Sequence, residues 1–340
     1  MQFLSFSAAT DDDGRRLDRV VRRYLAEQPL GGIYAHIRKG LIRVNEKKAD
    51  AAYRLHAGDV VAIADFLVPA APAAPAPKEM HRIQLSDIFC NDAVRIINKP
   101  YGVSVQGGGG MTVADAIKAD YAEKHGLRQS LSFTPAPLHR LDRQTTGILV
   151  CSQNLRGAQW FSHALALHRI QKEYIALVQG RLPAACVWQD AVCPYGGQPQ
   201  KRFHRVTIPA AAEKQNSAFT AKGKHALTAI APAAYGTFQG RTVTLAHIVI
   251  ATGRKHQIRA HSSAHGFPLA GDTAYGAAPV SGSQSLFLHA WRITVPEHNE
   301  IGIPAHVQAP PPKPFMRILQ NSLPEIANNS ILQAILDTAL

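Results

Sequence analysis

Long apolar runs are missing from this 340-residue chain. None approaches the ~18 residues that a membrane-spanning helix needs, so no helical span is expected. The first residues, MQFLSFSAATDDDG, lack a basic start and a long apolar stretch and meet acids at Asp11 to Asp13. That argues against a secretory leader. Cysteine is scarce. Cys90, Cys151, Cys186 and Cys193 are scattered and form no CxxC pair, so free buried thiols in a reducing cytoplasm are expected. Acids are few: 24 Asp and Glu stand against 37 Lys and Arg, a formal net charge of +13, in a chain that is 46% hydrophobic. A globular protein with that field favours polyanions, nucleic acid before a membrane surface.

Several catalytic classes drop out in the same way. The 16 histidines invite a metal, yet there is no HExxH motif and no Cys/His cluster at zinc spacing. His256 and His261 are five apart, which puts them on different faces of a helix. The four-glycine run Gly107 to Gly110 is not followed by the Lys-Ser/Thr of a phosphate-binding P-loop, and a loop beside a site is the better reading. No period of about 20 to 50 residues repeats. The expectation is an enzyme or binding protein with no metal and no cofactor.

The stretch DFLVPAAPAAPAPKEM, residues 65–80, is rich in proline and alanine. It favours extended structure and cannot build a core. It reads as a linker between a small module, 15–64, and a larger domain, 81–325. In the module, Leu17, Val20, Val21, Tyr24 and Leu25 recur at helical spacing, with Pro29, Gly31 and Gly32 as the stop. A second helix carries Ile33 and Ile37 inward and ends near Gly40. LIRVNEKKA and RLHAGDVVAI then read as short strands. The module holds 11 Lys or Arg against 5 Asp or Glu. Charge of one sign with few partners points to phosphate contact, with Arg16, Arg19, Arg38, Lys39 and Arg43 as the candidates. In the larger domain Val94 to Asn98, Gly147 to Gln153, Lys172 to Val178 and Thr242 to Ile250 predict strands. Thr252 to His265 predicts a helix closed by Gly266.

The segment LHRLDRQTTGILV, Leu138 to Val150, places one carboxylate, Asp142, among His139, Arg140, Arg143 and Gln144. An Asp between two arginines has its charged form favoured. That suits a nucleophile or an ion-pair anchor and suits a general acid poorly. His139 reads as a local hydrogen-bond partner.

This segment resembles the signature of the RluA family of pseudouridine synthases. Three further blocks carry the same resemblance: IINKPYGVSVQGGGG (Ile96 to Gly110), KEYIALVQG (Lys172 to Gly180), and TGRKHQIRAH (Thr252 to His261) with GDTAYG (Gly271 to Gly276) and LHA (Leu288 to Ala290) after it. Gln144 and Thr146 depart from the acid and Ser common in that family, which puts only the fine tuning of the loop in doubt. The small module resembles the S4 RNA-binding module at Arg16-Leu17-Asp18, Ile37 to Asn45 and Leu55 to Val60. There Gly31-Gly32-Ile33 replaces a common Ser and weakens the second helix's cap.

The resemblance implies an α+β protein: an S4-like RNA-binding domain plus a catalytic domain of mixed, mainly antiparallel sheet with flanking helices. It implies Asp142 as nucleophile on a flipped uridine, Tyr174 packed on the base, and Arg259 paired with Asp142. It gives Arg143 the space the flipped nucleotide vacates, and places Ile258 and Arg140 at the substrate. Asp272 and Tyr275 are expected to fix a turn. The wording is nearest the RluC-like branch, which acts on large-subunit ribosomal RNA, so the expected partner is that RNA or an assembling ribosomal subunit. A cytoplasmic monomer away from membranes is expected. The rivals are a transfer-RNA synthase of the same family, which would normally lack the S4 module; a non-catalytic S4-type RNA-binding protein of the translation machinery, which would need a vestigial Asp142 block; and a metal-dependent nuclease, which would need clustered acids or histidines.

Overall fold

The computed structural model describes residues 2–25, 27–68, 83–125, 133–194, 206–207, 223–282 and 284–323. The N-terminal module is a four-stranded antiparallel sheet, β1 (Phe3–Ser7), β2 (Ile42–Val44), β3 (Lys47–Lys48) and β4 (Val60–Ala64), in the order β1-β4-β2-β3. Helices α1 (Leu17–Val21) and α2 (Leu30–Lys39) pack against it. Leu17, Val20, Val21, Leu25, Ile33 and Ile37 are all buried there, and each contributes roughly 1.5–3 kcal/mol by leaving water. Gly40 ends α2 in the left-handed conformation (φ 73°), the conformation glycine adopts without a Cβ penalty.

Three local expectations are corrected. Gly31 and Gly32 do not stop a helix; they lie in the first turn of α2, which Pro29 opens with no side-chain cap. Strand β1 precedes the boundary drawn at residue 15. At the other end Asp65–Leu67 forms a 3-10 turn and Leu67 is buried in the module's core, so ordered structure runs past the start of the proposed linker. Residues 69–80 of that linker lie outside the described residues.

The larger domain is built on one sheet of ten strands among the described residues. In chain order they are β5 (Ser86–Cys90), β6 (Val94–Lys99), β7 (Thr146–Ser152), β8 (Gln171–Gln179), β9 (Cys186–Pro194), β10 (Val206–Thr207), β11 (Lys224–Phe238), β12 (Arg241–Ile250), β13 (Leu288–Thr294) and β14 (His306–Gln308). Their order is β10-β9-β11-β12-β8-β13-β7-β6-β5, with β14 on β13. All pairs are antiparallel except β13 with β7, which makes the sheet mixed and mainly antiparallel.

Successive strand residues point to opposite faces, and β8 shows the consequence. Tyr174, Ala176 and Val178 join one core with residues of α3 (Val113–His125), α4 (Leu155–Ala166) and α5 (Gln257–Ala264). Ile175 and Leu177 join the core under α6 (Lys313–Ser322). The central strand is therefore buried on both faces, and side chains it aims at the α3–α5 side are held rigidly. The predicted helix from Thr252 begins only at Gln257. Residues 252–256 are a loop whose shape is set by Gln257, whose Oε1 accepts from Thr252 Oγ1 (2.7 Å) and Arg254 N (3.1 Å). Cys90 and Cys186 are exposed and Cys151 and Cys193 buried, all four as free thiols, so burial holds for only two. No helix among the described residues is long and apolar enough to cross a membrane.

Candidate active site

Asp142 sits in the loop that feeds β7. The loop is pinned from three directions. Thr145 N donates to Asp142 O (3.0 Å). Lys99, wholly buried, donates through Nζ to the carbonyls of Pro100 (2.8 Å), Val103 (2.8 Å) and Arg143 (3.2 Å). Burial pushes that ammonium down to about 7, and the Asp142 charge works in the opposite direction. At the far end Gly147 has φ 104° and a Cβ there would overlap the Ala290 carbonyl, so only glycine lets the chain enter β7 against β13. Thr146 Oγ1 and His289 Nδ1 are 2.8 Å apart. His289 Nε2 faces the Ala309 carbonyl at 3.0 Å, which can only accept, so Nε2 carries the proton and Nδ1 accepts from Thr146.

Two cavities meet at this carboxylate. The first, of about 320 Å³, is lined by Asp142, Lys172, Tyr174, His256, Ile258 and Arg259 among others, a volume within the range of small-ligand sites. The second, of about 740 Å³, opens between the 101–107 turn, the Arg140–Gln144 loop and Tyr275. Asp142 itself is 16% exposed, with Arg259 Nη1 3.5 Å from Oδ2 and His256 Nε2 3.7 Å from Oδ1. Tyr174 is buried, and burial followed by the Asp142 charge pushes its phenol up.

The structure brings together Asp142, Tyr174, Arg259 and Ile258, with Arg140 exposed and lining both cavities. Arg143 lies on the second cavity, outside the first, with its Nε donating to Gly102 O (2.7 Å). His139 is a local partner, its Nε2 accepting from Val150 N (3.0 Å), and burial pushes it down to about 3. One assignment changes. Arg259 reaches Asp142, but its short bonds go to Asp272, Nε to Oδ2 and Nη2 to Oδ1, both 2.7 Å. Asp272 does stand at a turn, as expected, and it also holds the arginine. Tyr275 lies under that guanidinium (4.8 Å to the ring centroid), and its hydroxyl and His256 Nδ1 are 2.9 Å apart.

His256, grouped by sequence with the other histidines, therefore belongs to the site. It stands three residues before Arg259, a spacing that the helix expected over Thr252 to His265 would put on one face, although in the structure it precedes α5 in the left-handed conformation (φ 52°). Asp272 and Tyr275 carry no such local signal. In the basic module Arg19, Arg38 and Lys39 are exposed. Arg16 is tied bidentately to Asp18 (3.1 and 2.9 Å), and Arg43 bonds Gly40 O (3.0 Å) and lies over Phe3. Among the described residues no group of three or more His, Cys, Asp or Glu could hold a metal ion.

Residues 93–264 match the family model for RNA pseudouridylate synthase, and residues 15–61 match that of the S4 domain. The chain belongs to the RNA pseudouridylate synthase family. Curated relatives of this synthase include ribosomal large subunit pseudouridine synthase C of Haemophilus influenzae, 30% identical over 86% of this chain and 86% of that protein. The protein of the same name from Escherichia coli is 28% identical over 91% of this chain and 93% of that one. Among solved structures, human RNA pseudouridylate synthase domain containing 1 superposes with a TM-score of 0.55 at 24% identity, covering 74% of this chain and 95% of that one. That likeness shows the shared fold. The synthase is thus an RNA-modifying isomerase with an S4 domain attached.

Proposed function

We propose that this synthase converts uridine to pseudouridine in large-subunit ribosomal RNA, free or within an assembling subunit, with Asp142 as the nucleophile. The observation that carries the reading is the placement of one carboxylate at the junction of two cavities, flanked by Arg259 and backed by Tyr174. Uracil cannot be detached and turned while stacked, so the target leaves the helix first, at a cost of a few kcal/mol. The first cavity takes the flipped base, with Tyr174 and Ile258 as apolar walls. Asp142 attacks C1′, the C1′–N1 bond breaks, the base turns, and C5 bonds to C1′ as the carboxylate leaves. Arg259, fixed by Asp272, orients the carboxylate. Arg140 and Arg143 stand where the RNA backbone enters, and the N-terminal cations add phosphate contacts. The large-subunit substrate is supported by the names of the relatives and by the S4 domain that a transfer-RNA enzyme would normally lack.

Mapping pseudouridine in total RNA from cells with and without the protein tests this. One or more large-subunit positions should revert to uridine in its absence. An unchanged ribosomal profile, or losses confined to transfer RNA, would contradict the assignment.

A further inference from the structure

Among the described residues, two half-buried cations of the first cavity, Lys172 on β8 and Lys255 in the 252–256 loop, make no hydrogen bond or ion pair. Lys172 lies on β8 two residues before Tyr174, about 7 Å along the strand, so both side chains leave the same face, and both line the cavity. The residue between them, Glu173, turns to the other face and is held there by His247 and Arg292. Arg259 is matched by Asp272 and Asp142. The Lys172 ammonium makes no hydrogen bond or ion pair with any described residue. Its Nζ stands 3.5 Å from the point where a Cβ on Gly253 would be. That places the ammonium between β8 and the 252–256 loop, across the cavity wall. Burial lowers its pKa. Arg140 and Arg254 are exposed by contrast, which suits them to phosphates at the rim.

A half-buried ammonium without a partner destabilises the free protein. Its retention in a ligand cavity points to a counter-charge that the ligand supplies. The proposed reaction makes one. When C1′–N1 breaks, the electron pair stays on the base and spreads from N1 onto O2 and O4.

We propose that Lys172 is a further catalytic residue, whose ammonium hydrogen-bonds a carbonyl oxygen of the flipped uracil and holds the negative charge the base carries between C1′–N1 cleavage and C1′–C5 formation. This rests on the Asp142 reading above. The steps balance: Asp142 gives a pair to C1′ as N1 leaves, C5 gives a pair to C1′ as the carboxylate leaves, C5 releases its proton to solvent, and N1 takes one up. Lys172 keeps its protons throughout, as a fixed dipole or charge aimed at a developing anion does.

The test uses the full chain carrying Lys172→Met or Lys172→Arg, with single-turnover rates at saturating RNA, RNA affinity over a salt series, and melting temperature. Lys172→Met should lower the rate by ~10²-fold, the usual loss for one such donor. Affinity and salt slope should stay at wild type, and the melting temperature should rise, because an unpaired, half-buried charge has gone. Lys172→Arg should recover part of the rate. A wild-type rate in the Met variant would overturn the proposal. So would weaker binding with a shallower salt slope and an unchanged rate, which would make Lys172 a phosphate ligand. Lower melting and lower rate in both variants would make it a packing residue, and would also overturn it. Asp142→Asn, measured in parallel, separates the two readings: if it is active, the Asp142 mechanism falls; if it is inactive while Lys172→Met is fully active, only the Lys172 role falls.

Discussion

In the N-terminal module Arg19, Arg38 and Lys39 project into solvent from elements whose other sides are buried, and none of these side chains bonds a described residue. In the pocket Arg259 is almost wholly buried, and one carboxylate, Asp272, accepts from its Nε and Nη2 together. The first arrangement costs little and offers charge that any phosphate can meet, so its contribution to binding is screened by salt. The second must be paired to exist at all, and in return its geometry is set before substrate arrives. The same residue type serves affinity in one place and orientation in the other. The difference lies in what surrounds it.

The division is broken most severely in the pocket. Asp142→Asn keeps the shape and loses the nucleophile, so the single-turnover rate should fall by ~10³-fold or more while RNA affinity stays near wild type. A residual rate above about a tenth of wild type would remove Asp142 from the mechanism. Asp272→Asn is the next largest. It leaves a buried arginine half-paired, which costs roughly 3–5 kcal/mol, so thermal melting and turnover should drop together. Wild-type melting in that variant would show that Asp272 does not anchor Arg259.

Much of the catalytic framework is legible in periodicity and local motif. Four predicted strands match β6, β7, β8 and β12 to within a residue or two, because each carries an apolar stretch that includes β-branched residues. The module's helices are visible as an apolar stripe. What local sequence hides has a common physical cause. Strand β11 is rich in alanine and carries Pro232, where its register with β12 shifts, so it lacks the pattern of a strand. Arg259 pairs on paper with Asp142 alone, because the competing partner, Asp272, is brought in by tertiary packing. Lys172 reads as part of a strand, since nothing along the chain shows that its ammonium bonds no described residue. His256 is the one residue that spacing alone could recover.

The smallest expected effect bears most directly on the division itself. The module touches the catalytic domain, with Arg23 donating to Phe133 O (3.0 Å) and Asp11 accepting from Leu155 N (3.1 Å). Removing charge within the full chain is therefore a cleaner perturbation than deleting the module. Arg19, Arg38 and Lys39 would be changed together to Gln, and RNA binding measured across a salt series alongside the single-turnover rate at saturating RNA. The slope of log K against log salt should become shallower by ~0.7–0.9 for each phosphate that the variant no longer neutralises, with the saturating rate unchanged. An unaltered slope and affinity, or a lower saturating rate, would contradict the separation of phosphate binding in the module from chemistry at Asp142.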